Sequence, residues 1–258
     1  MPDLAVVTGA ASGIGAATTA RLLSDGHNVL GIDLLDATAP VDSGSGRLAW
    51  VMGSVAERET WDRAMDEADR VFGQPPTILV SNAARFGSGT ALTTDIDDWR
   101  GIIDVNLFGA VLGVRACLPG MIAQSNGRIV AVASVDAYMA EQDLVAYCTS
   151  KGALLQLMRC VAVDFARAGV RANVVCPGTV ATETFNRIHA EAPNGEELLQ
   201  MRRERNPLGR ILDPLEIAAA IAFLVSDNSS GMTGSVLTVD AGLSVSFDFR
   251  SNEHSTFS

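Results

Sequence analysis

Several scarcities narrow the reading first. The chain has four cysteines, Cys117, Cys148, Cys160 and Cys176, none in a CxxC spacing, and its histidines stand far apart at 27, 189 and 254. Neither a disulfide framework nor a zinc site is built that way. Free thiols in a reducing cytoplasm are the expectation, with no metal. Positive charge is short as well: 19 Lys and Arg stand against 30 Asp and Glu, for a formal net charge of −11. Binding a phosphate backbone or an anionic membrane surface needs clustered cations, so neither nucleic acid nor membrane is an expected partner. Met1-Pro2-Asp3 offers no basic start, and Leu4–Thr8 is too short for an apolar signal core. No apolar run approaches the roughly 18 residues of a membrane span. Val105–Val114 ends at Arg115, and Ile217–Val225 ends in Ser226-Asp227.

What is present describes a globular chain. Its 258 residues are 48% hydrophobic and 19% charged, enough to bury a full core and too apolar for disorder. Short apolar runs alternate with helical segments. Strands are expected at Leu4–Thr8, Asn28–Ile32, Leu48–Met52, Ile78–Ser81, Ile129–Ala133, Arg171–Cys176 and Val236–Val239. Helices are expected at Ile14–Ser24, Glu57–Phe72, Asp97–Ile122 (ending near Pro119-Gly120), Ala146–Arg167 and Asp213–Ser226. A Pro/Gly/Ser-rich connection runs from Pro40 to Gly46. Fully apolar strands between helices indicate an α/β chain with a parallel sheet of about seven strands, covered on both faces. No linker separates two cores, so residues 1–258 read as one domain. The polar stretch at about 183–210 reads as a substrate loop or lid, with a short helix near Glu196–Arg205. The helices near 99–114 and 146–167 carry apolar residues on nearly every face, which suggests subunit contact in a symmetric oligomer.

The first strand runs into Thr8-Gly9-Ala10-Ala11-Ser12-Gly13-Ile14-Gly15. Glycines there let the backbone turn sharply and approach a pyrophosphate, while the helix start offers free N–H groups and a positive dipole end. Asp33 lies 18 residues past Gly15, at the end of the second strand. An acid there accepts from adenosine ribose hydroxyls and repels a 2′-phosphate. Leu34 and Leu35 follow, with no cation for such a phosphate. The arrangement reads as a Rossmann-type doubly wound domain that takes NAD in preference to NADP.

Tyr147 and Lys151 are four apart near a helix start, so they share one face. A free phenol, with a pKa of about 10, is a poor base at neutral pH; a nearby ammonium stabilises its phenolate. Ser134 closes the fifth strand and can both donate to and accept from a substrate oxygen. Singly, these residues also read as a core aromatic, a solvated lysine and a turn serine. Their joint order points to a site.

In these segments the chain resembles the short-chain dehydrogenase/reductase family, over roughly residues 4 to 243. The family's TGxxxGxG matches Thr8 to Gly15, its YxxxK matches Tyr147 to Lys151, and its PG-x-V-x-T matches Pro177-Gly178-Thr179-Val180-Ala181-Thr182. Its NNAG matches Ser81-Asn82-Ala83-Ala84, with Ser81 and Ala84 replacing the family's residues. Ser54-Val55 stand where Asp-Val is common, and Asp240-Ala241-Gly242 where Asp-Gly-Gly is usual. The resemblance implies Tyr147 as general acid/base and Lys151 as its pKa-lowering partner and ribose ligand. It implies that Ser134 positions the substrate, and that Asn106 supports a proton-relaying water. Val180 and Thr182 would hold the carboxamide. Gly9, Ser12, Gly13, Ile14, Gly15, Asp33, Leu34, Ser54, Val55, Asn82, Ala83, Ala84, Pro177 and Gly178 would complete the cofactor site. It further implies a homotetramer that interconverts an alcohol and a ketone.

Arg85, Phe86, Asp136, Tyr138, Gln142 and the 183–210 segment flank the catalytic positions and are the substrate-side candidates, beside Ser134 and Tyr147. Two other classes compete. A non-catalytic NAD-binding regulator or scaffold would not need Ser134, Tyr147, Lys151 and Asn106 together. A methyltransferase would share the glycine loop and the acid, but not the Tyr–Lys spacing.

Overall fold

Leu4–Thr8 is buried along its whole length and forms β1, the strand beside which the sheet changes direction. The computed structural model describes residues 2–36 and 46–246, so most of the Pro40–Gly46 connection lies outside the described residues. The other strands are β2 (Asn28–Asp33), β3 (Leu48–Met52), β4 (Ile78–Ser81), β5 (Gly127–Val132), β6 (Val170–Pro177) and β7 (Val236–Val239). They form one seven-stranded sheet in the order β3-β2-β1-β4-β5-β6-β7, and every pairing is parallel. The chain reverses its direction of winding between β1 and β4. The loops there splay to opposite faces and open a crevice at the strands' carboxyl ends.

Alternation along the strands divides the core into two layers. Leu4 and Val6 of β1, with Leu79 and Ile129, face one layer; Ala5, Val7, Ile78 and Val80 face the other. The first layer is closed by α2 (Arg58–Phe72) through Trp61 and Phe72, α4 (Gly109–Ala123) through Met121, and α5 (Val145–Phe165) through Met158. The second is closed by α1 (Gly13–Ser24) through Leu22 and Leu23, and by α8 (Pro214–Val225) through Ile217 and Ile221. This is the doubly wound arrangement expected from the apolar strands. The start of α8 is fixed by a reciprocal cap between Asp213 and Glu216, with Pro214 in the first turn.

Three expectations need correction. The helix expected to end near Pro119 runs on to Ala123. Pro119 lies on the exposed face one turn from the helix end, so the carbonyl that loses its donor lies toward water. The run from Ile96 to Ala123 is not uniform: α3 (Ile96–Ile103) passes into α4 through a π-turn at Asp104–Phe108. By length and composition these 28 residues would span a membrane. Their inward stripe, Ile102, Asn106, Ala110, Val114, Cys117 and Met121, is buried, and α4 packs on β4 and β5. Finally, the stretch 183–210 holds two helices, α6 (Glu183–Glu191) and α7 (Gly195–Arg205), instead of one. The missed helix α6 is announced by Thr182, whose hydroxyl caps it by accepting from Phe185 N–H.

Candidate active site

The glycine turn closes on the chain leaving β4. Thr8 Oγ1 donates to the Val80 carbonyl and accepts from Asn82 N–H and Ala83 N–H at 2.9 and 3.0 Å. The Asn82 amide donates back to the carbonyls of Thr8 and Gly9 at 2.9 and 3.2 Å. Contact is so close that a Cβ on Gly9, which sits at φ +65°, would fall 2.9 Å from the Ala83 Cα. A Cβ on Gly15 would overlap the Gly9 carbonyl, so Gly15 serves helix–turn packing and does not line the cleft. Asp33 locks the other side of the turn. Its two carboxylate oxygens accept from Ala11 N–H at 2.9 Å and Leu35 N–H at 3.1 Å. That structural duty of Asp33 was not legible in the sequence.

Above this turn runs a cleft of about 620 Å³. Its cofactor half is lined by Gly9, Ser12, Gly13 and Ile14, by Asp33 and Leu34, and by Ser54 and Val55. Asn82, Ala83 and Ala84 form its floor, and Pro177, Gly178, Val180 and Thr182 its far wall. A direct sign of fit is that the Glu183 carboxylate rests on Gly13 N–H at 2.8 Å: the turn accepts an anionic oxygen where a diphosphate would need one. With the acid at Asp33 and the long cleft, the residues present suit a dinucleotide. Ser54 differs from the rest, since its hydroxyl accepts from Ala56 N–H at 3.2 Å and turns the chain toward α2.

The other half of the cleft holds Ser134, Asp136, Tyr147 and Lys151. Tyr147 and Lys151 lie one turn apart on α5, as their spacing predicts, with the ammonium 5.5 Å from the phenol ring centroid. Lys151 Nζ is fully buried and donates to the Val132 carbonyl at 2.9 Å. Burial pulls its pKa down to about 8, against weaker upward pulls from Cys176 and Asp136. Burial pushes the Tyr147 phenol above its ordinary value, the Asp136 carboxylate adds to this, and a hydrogen bond with Ser134 opposes it. Free of cofactor, the phenol is therefore held protonated. Lys151 alone does not bring it below the free-phenol value, contrary to what the spacing suggested.

Ser134 caps the short turn after β5. Its hydroxyl donates to the Asp136 carboxylate at 3.0 Å and accepts from Asp136 N–H at 3.2 Å. Burial raises the Asp136 pKa and Glu141 adds to it, while the Ser134 hydrogen bond, Arg202 and Lys151 pull it back.

Asn106 sits in the π-turn, and π-turns frequently mark functional sites. Its Oδ1 accepts from Arg85 N–H at 2.7 Å, and its Nδ2 donates to the Arg85 carbonyl and to Ser150 Oγ. Asn106 thus ties the post-β4 segment to α5 from behind the cleft, without lining it.

Three expected substrate-side residues fall elsewhere; Gln142 is exposed and does not line the cleft. Arg85 pairs with Asp98 at 2.6 Å, and the Tyr138 hydroxyl pairs with Thr238 Oγ1 at 3.0 Å; neither lines the cleft. Sequence adjacency to the catalytic residues placed them there, but their side chains find partners outside. Phe86, whose ring lies 5.4 Å from that of Tyr147, lines the cleft as expected, as do Phe185, His189 and Arg202 of the 183–210 segment; Met139 and Glu141 join them. An ion pair of 2.7 Å between Arg202 of α7 and Glu141 crosses the cleft mouth. No local motif marks Met139 or Glu141. Among the described residues, no group of three or more His, Cys, Asp or Glu side chains could hold a metal.

Comparison with known proteins agrees with this geometry. A family model described as Enoyl-(Acyl carrier protein) reductase matches residues 9–244. The chain is 38% identical to the Inactive 2-(S)-hydroxypropyl-CoM dehydrogenase 2 of Xanthobacter autotrophicus, over 77% of this chain and 86% of that one. It is 34% identical to the Meso-2,3-butanediol dehydrogenase of Serratia marcescens, over 93% and 94%. It superposes on the ligand-free aldohexose dehydrogenase of Thermoplasma acidophilum with a TM-score of 0.88 at 30% identity, over 97% of each chain. The chain belongs to the short-chain dehydrogenase/reductase family. Its class of reaction is the interconversion of a secondary alcohol and a ketone at a CH–OH group, with a nicotinamide cofactor.

The low pKa of Lys151 generates a stability test. Between about 8 and 10.5 the folded chain binds fewer protons at this residue than the unfolded chain, so stability rises with pH across that window. Below pH 8 both states are charged and the folded state carries the whole burial cost. Without cofactor, Lys151→Met should be more stable than the parent by roughly 3 kcal/mol at pH 7, with the gap closing toward pH 10. Urea unfolding at several pH values measures it; a gap that does not change with pH would rule Lys151 out as the group responsible.

Proposed function

We propose that the chain is an NAD-dependent dehydrogenase of a small polar secondary alcohol, with Tyr147 as general acid/base. The observation that carries this reading is the convergence of Ser134, Tyr147 and Lys151 on one wall of a cleft whose other half ends at Asp33. When bound, a nicotinamide cofactor supplies the hydride acceptor and, in its oxidised form, a positive charge. Ser134 holds the substrate oxygen. Tyr147 takes the hydroxyl proton in oxidation and returns it in reduction, and the Lys151 ammonium stabilises the phenolate. Asn106 serves the site from behind the cleft, holding α5 through Ser150 and the post-β4 segment through Arg85.

Asp33 supports NAD over NADP. Its carboxylate lines the cleft beside Leu34, and the acidic oxygens are fixed in place by the Ala11 and Leu35 amides. A 2′-phosphate there would meet a fixed negative charge. The substrate end mixes Asp136 with Phe86 and Met139, which suits an alcohol bearing further hydroxyls. The helices α6 and α7 cover that end as a lid within one domain. Four free cysteines support a reducing, cytoplasmic setting.

The apolar outer residues Phe108, 52% exposed, and Val163, 81% exposed, lie on the helical segments expected to meet in a homotetramer. Light scattering at micromolar concentration should give four times the 27.1 kDa of the chain; a monomer would refute the assembly.

One relative is named as inactive, which keeps the regulator reading as the second one. The first reading is tested by turnover. Tyr147→Phe removes only the proton-carrying oxygen, so kcat should fall at least ~10²–10⁴-fold while NAD affinity stays within a few-fold. Oxidation by the parent should quicken as pH rises, because it needs the phenolate. Tight NAD binding with no turnover of any alcohol or ketone would favour the regulator instead. For cofactor choice, kcat/KM with NAD+ should exceed that with NADP+, and Asp33→Ala should narrow the ratio. Parity in the parent would reject the assignment.

A further inference from the structure

The N-terminus of α1 is capped in an unusual way. Its N-cap residue, Ser12, has extended backbone but makes no side-chain capping hydrogen bond, and the first turn of α1 contains no acid. The first N–H groups of a helix have no partner within it and are where an anion binds best. Here the anion comes from 170 residues away, with Glu183 Oε2 accepting from Gly13 N–H at 2.8 Å.

Glu183 is also the first residue of α6, and its carboxylate stands in that helix's own first turn. The two helix starts touch: a Cβ on Gly13 would fall 3.0 Å from Thr182 Cγ2 and 3.5 Å from Glu183 Oε2. One negative charge therefore sits between two positive helix ends, and both stabilise it. The site is the same one the dinucleotide reading needs, because Gly13 lines the cofactor half of the cleft and Thr182 its far wall.

We propose that Glu183 is an internal competitor for the cofactor's diphosphate, a residue that sets cofactor affinity and links α6 to the glycine turn. This rests on the dinucleotide reading of the cleft. One N–H cannot serve a carboxylate and a phosphate oxygen together, and the two anions repel. A diphosphate reaching Gly13 displaces Glu183 and breaks the contact between α6 and the turn. The far end of the α6–α7 pair keeps its own tie, the Arg202–Glu141 ion pair at 2.7 Å. Cofactor binding thus loosens the covering helices at the end nearest the diphosphate and leaves them anchored over the substrate end.

Calorimetric titration of the full-length parent, Glu183→Gln and Glu183→Ala with NAD+, ADP and adenosine tests this. Removing the charge should tighten NAD+ and ADP about two- to fivefold, the worth of one charge at a helix end. Adenosine, which has no phosphate, should bind all three proteins alike. Equal or weaker NAD+ and ADP binding by both folded variants would overturn the proposal alone. Tighter adenosine binding in step with ADP would also overturn it, since the effect would then not be at the diphosphate. No NAD+ binding by parent or variants would overturn the dinucleotide reading, and the proposal with it.

Discussion

The rest of the molecule depends on the approach of the β1 turn to the chain leaving β4. Thr8, Gly9 and Asn82 make that approach through side-chain and backbone hydrogen bonds, with no room for a Cβ at Gly9. It holds open the crevice where the sheet reverses its winding, and it aims the free amides of α1 into that crevice. Every residue that could hold a cofactor is positioned relative to this turn. Asp33 belongs to the same lock, since its carboxylate secures the turn while facing the cleft. The charge that faces the cleft and the architecture of the turn share one side chain there.

The chemical half is governed by burial. Lys151 is a charged group held where water does not reach, with one carbonyl as its partner. The phenol beside it is driven toward its protonated form. Both shifts oppose the charged states, but at neutral pH they leave the phenol protonated and the Lys151 amine still charged. A nearby positive charge would act against this at the Tyr147 phenol, and would add to the downward pull at Lys151. The cost of holding Lys151 there is met by the packing of α5 on the sheet. It is steadied from behind by Asn106, which pins the π-turn to Ser150 and to Arg85.

The covering helices show a different economy. α6 and α7 contribute few buried residues and hold to the body partly through charged contacts, Glu183 on the glycine turn and Arg202 with Glu141. Contacts between exposed charges are individually weak and exchange readily for others. That suits the exchange of anions proposed for Glu183, as it would not suit a core helix such as α8.

The sequence by itself determined the sheet. Continuous apolar runs such as Leu4–Thr8 and Ile78–Ser81 form strands with the expected bounds, because burial on both faces leaves little freedom in where they lie. The glycine turn and the Tyr147–Lys151 spacing were legible for the same reason: each depends on backbone geometry or helical period within a few residues. Tertiary structure alone decided the rest. Pro119 did not end its helix, since the carbonyl that loses its donor, that of Arg115, lies toward solvent. Arg85 and Tyr138 turned away from the cleft toward Asp98 and Thr238, partners 13 and 100 residues distant. The link from Glu183 to Gly13, across 170 residues, has no local signature either. Local physics sets which residues can turn, cap or pair. Only the folded chain sets which long-range partner each charged side chain meets, because that choice depends on distances no sequence interval encodes.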